Sequence, residues 1–201
     1  MGWPHQLLGI SAAVLSFATC PAYVLSILRG HTKPDRVSWW ILGAVSVGIA
    51  FSYRAVGAAE TLWLPVEYAL SFLLIAILSL WYGDGPARLH PLDRMCLAGA
   101  VLSGFVWLLL RSPLAGLTAC IATDFIGLIP TFAKARARPW TEDRVVWIIA
   151  TAASGLNVLA LRSFAFSLSA YPIYVFVLSA VITGYIVRAD LRRLLQLPGR
   201  A

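Results

Sequence analysis

Apolar residues fall along this chain in seven long runs, covering residues 5–28, 37–53, 62–82, 95–110, 114–133, 145–161 and 164–187. Each run is close to the length an α-helix needs to cross a hydrocarbon layer, where a helix satisfies its own backbone groups. The pattern predicts an all-α membrane protein with seven transmembrane helices. The run at 95–110 is the shortest.

The polar breaks between the runs repeat. "KPDRVSWW" at 33–40 returns as "TEDRVVWI" at 141–148. At the same spacing Pro21 in the first run matches Pro130 in the fifth, Trp39 matches Trp147, and Pro65 in the third run matches Pro172 in the seventh, with offsets of 107 to 109 residues. A near-constant offset over three consecutive runs marks an internal duplication. Three crossings end on the opposite side from where they began. A second copy therefore keeps the orientation of the first only if one further helix returns the chain. The expected plan is 3+1+3, two parallel triple-helix repeats: residues 1–82, a linking helix within 83–112, residues 113–187, and a basic tail at 188–201.

Composition agrees with a membrane setting. The chain of 201 residues is 60% hydrophobic and 12% charged, with a mean hydropathy of +0.80, which leaves too little polar surface for a soluble domain. Of the 16 Lys and Arg, all but Arg54, Arg111 and Arg162 fall in the odd-numbered loops and the tail. The positive-inside rule then sets the N-terminus outside and the tail in the cytoplasm, as for a plasma (inner) membrane protein. The N-terminus has no basic segment or small-residue cleavage site, so the first helix is expected to remain. The net charge of +7 is scattered rather than gathered into a patch, so no nucleic-acid partner is expected. The expected partners are the lipid bilayer and a small-molecule solute; self-association is left open.

Two triple-helix bundles joined by one inverting helix, with a proline in the first helix of each, resemble the SWEET and PQ-loop transporter superfamily. The Pro-Gln pair of that superfamily reads Pro21-Ala22 and Pro130-Thr131 here. The asparagine that sugar carriers place on the third helix of each repeat has no counterpart, because the single Asn of this chain, Asn157, lies in the sixth run. The resemblance implies a transporter working by alternating access, with Pro21, Pro130, Pro65 and Pro172 as hinge points.

Asp124 lies about ten residues into its run, near the middle of the membrane, where a carboxylate is costly and faces a cavity or a partner. It is the leading candidate for substrate contact or proton coupling. Asn157 must find a hydrogen-bonding partner at membrane depth. Glu67 and its neighbour Tyr68, with Tyr174 at the repeat-equivalent position, suggest a polar vestibule. Trp147, with Trp39, Trp40, Tyr53, Tyr171 and Tyr174, can supply stacking faces or anchor helix ends at the interface. Asp35 and Asp143 suit the N-termini of the second and sixth helices, and cross-pairing with Arg144 and Arg36 would lock the two loops together.

Other classes find no support. Lys33 and Lys134, the only lysines, lie outside the apolar runs, which excludes a retinal Schiff base. The three histidines are scattered without metal-ligand spacing, Cys20, Cys96 and Cys120 sit singly in apolar runs, and no nucleotide or hydrolase fingerprint appears. Neither enzyme activity, cofactor nor metal is expected. The alternative to transport is a non-transporting receptor, sensor or scaffold of the same fold.

Overall fold

The computed structural model describes residues 3–30, 33, 34, 36–83 and 91–196; for 92, 93, 130, 134, 141, 193, 194 and 196 only the backbone is described. These residues are almost entirely helical, with no strand among them. The helices are α1 (Trp3–Phe17), α2 (Thr19–Leu28), α3 (Arg36–Ala55), α4 (Trp63–Tyr82), α5 (Pro91–Leu110), α6 (Pro113–Ala137), α7 (Arg144–Leu159) and α8 (Phe166–Gln196). Short 3-10 turns at Glu60–Leu62 and Pro139–Thr141 precede α4 and α7.

Each expected run is helical, and the interruptions have local causes. Pro21 has no N–H to offer the Phe17 carbonyl four residues earlier. The first run accordingly breaks into α1 and α2 at Ala18, whose N–H is shared between the Val14 and Leu15 carbonyls. Around residue 130, where Pro130 stands, α6 bends by 42°. Pro65 lies in the first turn of α4, where a missing N–H leaves no helical carbonyl unpaired. Pro172 is inside α8 and does orphan a carbonyl, that of Leu168. Asp143 caps α7, its Oδ1 accepting from the Val145 and Val146 N–H groups at 2.9 and 3.1 Å. The seventh run extends past its expected end, since α8 carries through Arg188 and Arg192, and part of the expected tail is helix.

Length and composition single out fewer crossing helices than seven. Three are long and apolar enough: Trp3–Leu28, Glu60–Tyr82 and Phe166–Arg192. The bent α6 makes a fourth if it is one span. The apolar stretches Arg94–Leu110 and Arg144–Leu159 are shorter. At 1.5 Å per residue the 16 residues of α7 reach about 24 Å. The 20 residues of α3 carry Arg at both ends and three serines.

The packing is inside-out relative to a soluble protein. Leu102, Phe105, Leu108 and Leu109 of α5 and Leu70 and Ile77 of α4 face outward, while nine serines are buried. Small polar residues let helices approach closely and can return their hydroxyls to their own backbone. Ser79, Ser103 and Ser154 do so, onto the Ala76, Gly99 and Ala150 carbonyls at 2.6–2.7 Å. Glycine supplies the tightest approach: a Cβ on Gly9 would lie 1.8 Å from the Glu60 carbonyl oxygen, so α1 rests directly on the turn before α4.

In the first half of the chain α4 packs against both α1 and α3; in the second, α8 packs against both α6 and α7. Across the halves α1 meets α7, and α3 meets α6. Helix α5 lies against α6 and α3. The largest cluster of buried apolar side chains joins α3, α5, α6 and α8, through Ile41, Val45, Ile49, Tyr53, Cys96, Leu117, Cys120, Tyr171 and Val175.

Candidate functional site

A cavity of about 250 Å³ opens where the two halves meet. Every helix except α5 contributes to its wall. Ser16 and Thr19 come from the break between α1 and α2, and Ser46 with Ile49 from α3. Tyr68 and Phe72 lie one turn apart on α4, as do Asp124 and Leu128 on α6 and Trp147 and Ala150 on α7. Tyr171, Val175 and Ser179 form a single stripe along α8, joined by Tyr174.

Asp124 is half-buried in this wall and accepts a hydrogen bond from the Tyr174 hydroxyl at Oδ2, 2.7 Å away. The aromatic side chains each make a further contact that fixes them. Tyr68 stacks on Phe72 with ring centres 5.7 Å apart, and Phe72 meets Trp39 edge-on at 5.5 Å. Trp39 in turn packs on Tyr23. The Tyr171 ring lies 5.5 Å from that of Tyr53, and the Trp147 indole N–H donates to Glu142 Oε2 at 3.1 Å. The result is a carboxylate among fixed rings and four small hydroxyl side chains.

One end of the cavity is closed by contacts between the halves. Tyr53, wholly buried, donates its hydroxyl to the Leu168 carbonyl, the group orphaned by Pro172, and also shares a 2.6 Å hydrogen bond with Thr61. Thr61 and Leu168 each stand four residues before one of the paired prolines. Nearby, Arg162 and Glu60 form an ion pair at 2.8 Å. At the Trp147 end Arg36 donates to the Ser79 and Leu80 carbonyls at 3.3 and 3.1 Å, and Arg144 pairs with Asp190 at 3.2 Å. These bonds join helices of one half. Of the loop-to-loop lock expected from the repeat, Arg36 and Asp143 are not paired among the described contacts, Arg36 serving α4 and Asp143 capping α7; the other half, Arg144 with Asp35, falls on Asp35, which lies outside the described residues.

Of the residues expected at a site, Asp124, Tyr68, Tyr174 and Trp147 meet in the cavity wall. Glu67 and Asn157 do not line it. Glu67 accepts from the Ser71 hydroxyl at 2.6 Å through Oε1, while Oε2 is buried with no hydrogen-bond partner among the described residues. Ser16, which lines the cavity, approaches both the Glu67 carboxylate and the Tyr68 phenol. Asn157 is fully buried and neither atom of its amide is paired among those residues. Tyr53 is part of the closed end, and Trp40 faces outward. Pro65 and Pro172 are buried; the side chain of Pro130 is outside the description. Among the described residues no group of three or more His, Cys, Asp or Glu is arranged to hold a metal.

Ser16, Thr19, Ser46, Phe72 and Ser179 are wall residues that the sequence reading did not single out. At the 108-residue offset Ser16 is the counterpart of Asp124, whereas Ser46 and Ser179 match Ser154 and Ser71, which lie outside the wall. Compared with protein-family models, curated proteins and solved structures, the chain matches none.

Proposed function

We propose that this protein is a transporter of small polar solutes of the SWEET and PQ-loop type, in which two triple-helix bundles alternate access to the cavity between them. In this reading α1 with α2, α3 and α4 form one repeat and α6, α7 and α8 the other, with α5 as the returning helix. All seven runs then cross the bilayer, with α3 and α7 packed against the more apolar α4 and α8. Exchanging α1 with α6, α3 with α7 and α4 with α8 turns the contact of α1 with α7 into that of α6 with α3. The same exchange carries the central position of α4 onto that of α8. This is the pairing two parallel repeats about one axis require.

The observation that carries the proposal is the cavity itself: it lies between the halves, contains Asp124, and is closed across them at the Tyr53 end. Bonds between the bundles at one end of a central site are what an alternating-access cycle must make and break. Pro21 and the bend near residue 130 flank the cavity on the first helix of each bundle, where flexing would change its mouth.

Uptake by proteoliposomes of a labelled hexose, amino acid or quaternary amine, with and without a pH gradient, tests the proposal. The expected result is saturable flux of one of these solutes above empty vesicles, with Asp124→Asn reducing it about tenfold or more, or abolishing its response to the gradient. Flux of all three equal to empty vesicles would overturn the transport reading. Flux unaltered by Asp124→Asn would remove that residue from the mechanism. A receptor or scaffold of the same fold has in its favour that Glu67 and Asn157 are packed away from the cavity; solute binding without flux is its signature.

A further inference from the structure

We infer that the cavity is built for a small organic cation, an ammonium group seated against Asp124 and enclosed by the rings of Tyr68, Tyr171, Tyr174 and Trp147. This inference deepens the transport reading and rests on it for its physiological purpose.

The charge inventory of the wall is lopsided. The chain has 16 Lys and Arg and three His, yet none is among the described residues lining the cavity, and Asp124 is the sole carboxylate there. The phenol of Tyr174 serves Oδ2, but a hydrogen bond does not neutralise a charge. A carboxylate half-withdrawn from water is costly to ionise without a counter-charge, and a cationic solute supplies what the wall lacks. An anionic solute would meet the same carboxylate with no basic side chain to offset it. A neutral polyol would find hydroxyl partners but would leave the charge uncompensated.

The rings point the same way. A cation over an aromatic face is attracted by the ring quadrupole, more strongly when water is excluded. Four of the wall aromatics have a second contact that fixes them before any solute arrives: Tyr68 on Phe72, Tyr171 on Tyr53, Tyr174 on Asp124 and Trp147 on Glu142. Rings already immobilised lose little entropy on binding. The Ser16, Ser46 and Ser179 hydroxyls leave room for one polar substituent on the solute. The volume equals about eight waters at liquid density, which admits a compact amine and excludes a large one.

The test compares three probes on the full chain in nanodiscs, read by calorimetry and by tryptophan fluorescence: choline, its neutral isostere with carbon in place of the quaternary nitrogen, and acetate. Choline is expected to bind at least about tenfold more tightly than the isostere, a margin of about 1.4 kcal/mol, and acetate is expected not to compete. Asp124→Asn should erase the difference between choline and the isostere. Equal binding of the two by the native protein, or competition by acetate, overturns the inference, and neither result depends on the variant folding. Counterflow of labelled choline in proteoliposomes separates the two proposals. Choline bound but not exchanged defeats transport and leaves the cation site standing, whereas transport of the hexose with no choline binding does the reverse.

Discussion

The two ends of the cavity are made of similar residues and joined differently. At the Tyr53 end a buried phenol, an orphaned carbonyl and an ion pair tie one half of the chain to the other. At the Trp147 end Arg36, Arg144 and Trp147 spend their hydrogen bonds on neighbours within their own half. At the Tyr53 end the described bonds tie the halves together, whereas Arg36 and Arg144, which the 108-residue offset pairs, each brace a single half.

The largest effect should come from the clamp. Tyr53→Phe keeps the ring against Tyr171 but strands the Leu168 carbonyl and the Thr61 hydroxyl, at a cost of about 1–3 kcal/mol. Thermal unfolding in detergent should show the loss. The same substitution in an Ala58→Cys background, where residue 58 is buried at that end, should raise labelling by a membrane-impermeant maleimide about fivefold or more. The native cysteines are all buried and in no disulfide. Lower stability with unchanged labelling would make Tyr53 a packing residue and end its role as a closure.

How much of this was legible in the sequence depends on whether the signal was local. Helices were legible because apolar runs and prolines act on their own segment: Pro21 broke the first run and Asp143 capped α7 where the sequence indicated. Asp124 was legible because an acid deep in an apolar run has few bland explanations. Tyr174 was expected as a mate of Glu67 and as a stacking face but not as the partner of Asp124, since nothing along the chain says which residues 50 positions apart will touch. The wall serines were hidden for a similar reason. A serine inside an apolar helix usually bonds back to its own turn, as Ser79 and Ser103 do, and only packing separates those from Ser16 and Ser46. The number of crossings was less legible, because a 16-residue helix such as α7 meets no simple criterion for crossing alone, although its run looked sufficient.

A middle-sized effect is expected at the Trp147 end. Asp143→Ala removes the cap of α7 and leaves the Val145 and Val146 N–H groups without their side-chain acceptor, costing about 1 kcal/mol. Stability should fall by that amount, while labelling of Ala58→Cys changes less than about twofold, because no bond between the halves is lost. Labelling that rises as far as it does for Tyr53→Phe would mean that the ends are mechanically coupled and that the clamp is not an independent latch.

The smallest effect belongs to the ion pair, and its size tests how wet the closed end is. Arg162 is 48% exposed and Glu60 21%, so water and salt reach the pair and its net contribution should stay below about 1 kcal/mol. Arg162→Gln should therefore lower stability less than either substitution above. A double-mutant cycle with Glu60→Gln should give a coupling of about 0.5 kcal/mol that shrinks as salt rises, the Debye length being about 8 Å at physiological ionic strength. A salt-insensitive coupling above about 2 kcal/mol would mean that the pair is desolvated in the membrane-embedded protein. Arg162 with Glu60, rather than Tyr53 with Leu168, would then hold the halves together, and the clamp would rank second to the pair at its rim.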